Sequence, residues 1–148
     1  MTTRMRRRID TDDEGSVSLE TTIGAFAVSV VIAMVIIFGR YAIASNTIDL
    51  AAHDAARAAS IARDADAAQR GAQAAAEATL SDQSLTCSTL TVEVDVTGFD
   101  IPVGEPAEVT ATITCVLDFS DIALPGMPGS ATVTATYTSP LDTYRSRT

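Results

Sequence analysis

No charged residue occurs between Ile23 and Phe38, and the residues from Val17 onward are mostly apolar. The stretch of about 22 residues amounts to roughly 33 Å of helix, enough to cross a bilayer. One carboxylate, Glu20, sits among what would be the first turns of that helix. An ionised side chain costs up to ~3 kcal/mol at the centre of a membrane helix and less near the interface, so an acid here has a partner or a task. The alternative is that Glu20 lies at headgroup level and favours the helix N-terminus through the dipole.

With 148 residues, the chain has room for one modest domain besides such a span, and it contains no Trp. All 10 basic side chains are arginines, set against 19 acids, for a formal net charge of -9. That balance repels phosphates and argues against a nucleic-acid partner. Arg4, Arg6, Arg7 and Arg8 precede the apolar run, and only Arg40 follows it closely. The positive-inside bias therefore places the N-terminus in the cytoplasm and everything after Phe38 outside.

Composition divides the chain into a charged leader (1–15), a transmembrane helix (16–40), an alanine-rich extracytoplasmic helix (41–80) and a small extracytoplasmic β-domain (81–148). The alanine-rich stretch has no proline and only Gly71 as a weak point, so both helical parts are expected to form one helix from Ser16 to Leu80, with a kink near Gly39 or fraying past Gly71 as the ways to shorten it. Asp49 with His53, Asp54 with Arg57, Arg63 with Asp66, and Asp66 with Arg70 are spaced to line an exposed helical face. After Leu80 the period changes to two. Leu90–Val96, Val109–Cys115 and Val133–Tyr137 each alternate apolar and polar residues, which predicts three strands separated by the loops GFDIPVGEP and DFSDIALPGMPGS. The expected fold class is α+β: a long N-terminal membrane-spanning helix continuing into an alanine-rich helix packed on a small antiparallel sheet of about three strands.

Cys87 and Cys115 fall in the exported part, where an oxidising compartment favours a disulfide over free thiols. A hairpin that sets Leu90 opposite Ile113 puts Cys115 opposite Ser88, one residue from Cys87, so the bond needs a bulge or a bend where the chain enters the first strand. Two cysteines without a neighbouring histidine are half a zinc site at most.

Catalytic chemistry is hard to place. The lone histidine, His53, has Asp49 and Arg57 beside it at helical spacing, as expected for a solvated face. Asp12, Asp13 and Glu14 lack the alternation and turn glycine of a calcium loop. Phosphate-loop glycines and HExxH spacing do not occur, and the strand threonines read as β-formers on a wet face. The expectation is a protein without enzymatic activity or cofactor. Within the span, Ala25, Ser29 and Ala33 form a small-residue stripe that lets another helix approach closely.

The order of features from Gly15 onward resembles the class III signal of type IV pilins: a short charged leader ending in glycine, a glutamate at the fifth mature position, then the hydrophobic segment. Taken with DLAAHDAARAAS beyond the membrane and the terminal strand ATVTATYTSPLDTYR, nearly the whole chain resembles TadE-like proteins of the tight adherence (Flp) pilus system. The resemblance implies processing by a prepilin peptidase between Gly15 and Ser16. It also implies that Glu20 pairs with the new N-terminal ammonium of a neighbouring subunit. The implied role is a minor pilin or pseudopilin without enzymatic activity. Its implied partners are that peptidase, other pilin subunits, the inner-membrane pilus assembly platform and membrane lipid. One departure is Thr21, where such sites often carry tyrosine.

Two other readings use the same residues. Ala42-Ile43-Ala44 fits an ordinary signal-peptidase site, which would release a secreted domain starting at Ser45. An uncleaved single-pass anchor carrying an interaction domain needs no pilus at all.

Overall fold

The computed structural model describes residues 13–118 and 129–144, with side chains from Thr21 onward. Two helices, α1 (Asp13–Ser60) and α2 (Ala65–Asp82), precede three strands: β1 (Thr89–Asp95), β2 (Glu108–Asp118) and β3 (Ser130–Pro140). The fold class is α+β. The chain divides into two units at Arg40/Tyr41.

The first unit holds the apolar part of α1, with its large side chains unburied: Ile23, Phe26, Val35 and Phe38 are all more than half exposed. In the second unit, α1 and α2 each carry an alanine-rich buried stripe. Ala44, Ile48, Ala51, Ala52, Ala55, Ala56 and Ala59 of α1, and Ala68, Ala72, Ala76 and Leu80 of α2, recur at the three- and four-residue spacing of one helical face. They join Val109, Ala111, Ile113, Cys115 and Leu117 of β2 and Val133 and Ala135 of β3 in one hydrophobic core.

The single helix expected from Ser16 to Leu80 is instead two, broken between Ser60 and Ala65. Neither Gly39 nor Gly71 makes the break. Asp64 adopts an extended backbone and its Oδ1 accepts from the Ala67 N–H at 2.7 Å, an N-cap that starts a new helix. The Arg63–Asp66 helical pair is lost, since Arg63 lies outside both helices. Its position between them lets α2 return alongside α1, with the Gly71 Cα facing the Ala58 carbonyl. The end of α2 is closed by bonds from the Leu85 N–H to the Leu80 carbonyl and from Ser84 to Ser81, with Ser84 left-handed at φ 54°.

The sheet is antiparallel in the order β1-β2-β3. Val92, not Leu90, lies opposite Ile113, a shift of two residues from the pairing expected above. An even shift keeps every side chain on its own face, so alternation cannot distinguish the two registers. The β1–β2 connection also tolerates either register, because it is long and contains a 3-10 turn, Thr97–Asp100, that buries Phe99. There Gly98 lies against the Glu108 carbonyl, where any added Cβ would overlap it.

The disulfide Cys87–Cys115 is formed, with 5.4 Å between Cα atoms. Cys87 reaches it from the bend just before β1, whose first residue is Thr89, as an entry bend requires. Closing a loop of 28 residues in sequence contributes about 3–4 kcal/mol in the chain-entropy account. That is a large share for a core built mainly of alanine, in which Ile48, Ile113, Val109 and Cys115 are the largest fully buried side chains.

Two glycines give opposite predictions. A Cβ on Gly71 meets the Ala58 carbonyl oxygen at 3.7 Å, an ordinary contact, so Gly71→Ala is expected to stabilise the second unit by about 1 kcal/mol through helix propensity. Gly98→Ala should destabilise it by about 1–3 kcal/mol through the forced backbone shift. Thermal unfolding of the full chain in detergent checks both. Replacing both cysteines with serine should cost about 2–4 kcal/mol in the same measurement.

Candidate functional site

Gly15, Ser16 and Glu20 lie in the first two turns of α1, as backbone positions only. Their side chains, and the leader before Asp13, fall outside the described residues, as does most of the loop between Asp118 and Ser130. From Thr21 onward α1 is long and apolar enough to cross a membrane, and none of its most apolar window is buried by protein. A helix that is hydrophobic all round and uncovered requires an apolar solvent or other helices. It fits a single-pass membrane anchor.

Ala25, Ser29 and Ala33 keep their i, i+4, i+8 spacing on this helix. The Ser29 hydroxyl donates to the Ala25 carbonyl oxygen at 2.8 Å, which satisfies it within its own helix. The stripe therefore presents small volume without an unpaired donor, and its use in packing would be steric.

His53 keeps 41% of its side chain exposed and also has partners beyond its own helical face. Its ring meets Tyr137 of β3 edge-on at 4.6 Å, and its Nδ1 lies 3.3 Å from Asp54 Oδ1. Asp54 turns toward α2, accepting from the Thr79 hydroxyl at 2.9 Å with its other oxygen. The pair thus ties α1 to both β3 and α2, a structural link that helix periodicity alone does not reveal. Among the described residues, no three His, Cys, Asp or Glu side chains gather as metal ligands would.

On the outer face of the sheet, the hydroxyls of Thr110 and Thr138, Thr112 and Thr136, and Thr114 and Thr134 pair at 2.9, 3.1 and 3.2 Å. The wet face expected from alternation is therefore an ordered ladder of cross-strand hydroxyl pairs.

A family model described as TadE-like protein matches residues 15–57. Over these residues the chain is similar to TadE-like proteins. The match starts at Gly15 and takes in Ser16, Glu20, the apolar helix and most of the buried alanine stripe of α1. It is narrower than the near-complete resemblance expected from motif order, because it stops before α2 and the sheet. No curated protein and no solved structure matches.

The Asp95 carboxylate is held below its ordinary pKa, first by the Thr97 hydroxyl at 2.7 Å and then by the Thr97 N–H at 3.0 Å. A folded value below the unfolded one gives stability that is present above about pH 4 and lost as pH falls through the folded value. Thr97→Ala should move the Asp95 pKa back up toward the ordinary carboxylate value, as read by carboxyl-carbon NMR titration.

Proposed function

We propose that this chain is a minor pilin or pseudopilin of a tight adherence pilus, anchored by α1 and without catalytic activity. The observation that carries the reading is the TadE-like match, which begins at Gly15 and runs through an apolar helix that no protein covers. In this reading a prepilin peptidase hydrolyses the Gly15–Ser16 bond on the cytoplasmic side. The apolar segment stays on the mature chain, whose first residue is Ser16. Cleavage creates an ammonium at Ser16, and Glu20 of one subunit pairs with the ammonium of the next. Each charge alone resists entry into the bilayer, and pairing offsets that cost. The small stripe Ala25, Ser29, Ala33 is the face along which neighbouring helices pack.

The N-terminal arginines favour a cytoplasmic start and an exported second unit. The Cys87–Cys115 disulfide supports export to an oxidising compartment. Cleavage after Ala44 is disfavoured, because Ala44 is a buried member of the alanine core and its helix continues on both sides.

Intact mass and N-terminal sequencing of the protein recovered from its own membranes should give a chain starting at Ser16. A start at Met1 or Ser45 would overturn the processing step. Glu20→Ala should insert normally in the membrane but reduce recovery in assembled pili at least tenfold. Assembly at the wild-type level would remove the charge-pairing role from Glu20.

A further inference from the structure

The two edge strands of the sheet, β1 and β3, differ in how they are protected. β3 ends the strand order, and nothing among the described residues pairs with its outer edge. Edge strands of soluble domains are normally blunted by charge, proline or shortness. β1, the opposite edge, follows that rule with Glu93 and Asp95 in seven residues. β3 does not: its eleven residues, SATVTATYTSP, carry no charge, and Pro140 comes only at the last position.

The sequence of β3 is also self-complementary. An antiparallel pairing of two β3 strands about Ala135 overlaps the whole strand, with Ser130 of one copy opposite Pro140 of the other. It sets Thr134 opposite Thr136 and Thr132 opposite Thr138 on the outer face, repeating the hydroxyl pairing that β3 already makes with β2. On the inner face it sets Val133 opposite Tyr137. Tyr137, although its ring meets His53 edge-on, is still 43% exposed where Val133 and Ala135 are 5% and 7%, and the pairing would cover more of that ring. A chain of net charge -9 repels its own copies over most of its surface. A neutral strand is where two copies can meet. We infer that β3 is an edge-to-edge dimerisation site for a second copy of this chain, joining two three-stranded sheets into one of six strands through antiparallel pairing centred on Ala135.

The test uses the full chain, produced in membranes as two differently tagged copies, one carrying Thr134→Cys and the other Thr136→Cys. Both positions are exposed, and the native cysteines are already bonded to each other. Mild oxidation should link the two tags at least tenfold more than the control pair Thr89→Cys with Thr91→Cys on the opposite edge. Adding Thr132→Lys and Thr138→Lys to both copies places lysines against lysines across the proposed pairing. This should reduce the cross-link at least tenfold with the circular dichroism unchanged. Cross-linking no greater than the control, insensitivity to the lysines, or capture of a different protein in place of the second tag would each overturn the inference.

Discussion

Everything in the first unit follows from one constraint: an α-helix whose apolar side chains have no protein around them. In hydrocarbon, a backbone survives only if all its polar groups bond within the segment, and a continuous helix meets that condition. Ser29 extends it to the side chain by donating to its own helix. With the hydroxyl satisfied internally and no charge between Ile23 and Phe38, the acid at Glu20 is the group at the start of the span whose cost needs a partner. The TadE-like match covers this region, which is where the physical demands on the chain are most specific.

The second unit solves a different problem. Alanine lets helices and sheet approach closely but buries little apolar area per residue, so the core gains less from the hydrophobic effect than one made of leucine or phenylalanine. Covalent and polar links compensate. The disulfide ties the entry of β1 to the central strand, Asp54 joins α1 to α2 through Thr79, and His53 meets Tyr137 across to β3. Each link joins two different elements, which close packing of small side chains alone holds weakly.

Much of this was legible in sequence, and what was not has identifiable causes. The apolar span, the three strands, the faces of their residues and the cysteine pairing all follow from period and compartment. The break at Ile61–Asp64 does not, because alanine is a strong helix former on both sides and no glycine or proline marks the position. The readable signal was Asp64, an N-cap residue type standing three positions before the Ala67 N–H it accepts from. The two-residue error in the β1–β2 register has another origin: period-two patterns are blind to even shifts, and the long connection with its 3-10 turn leaves the register unconstrained by loop length. The role of His53 was hidden for a third reason, since its partner Tyr137 lies 84 positions away on another element.

The two edges of the sheet carry an asymmetry that stability does not explain. β1 and β3 flank the same central strand and share the same outer face, so folding alone would be served by similar sequences on both. Yet acids occupy β1, whereas β3 has threonine at every outer position from Thr132 to Thr138 and an open tyrosine on its inner face. An unprotected edge is an aggregation hazard wherever copies of a chain meet at random. Anchoring through α1 changes that situation, because membrane-bound chains meet in a restricted set of orientations and at raised local concentration. Under those conditions a neutral, self-complementary strand selects one pairing, and the acidic remainder of the surface disfavours the others.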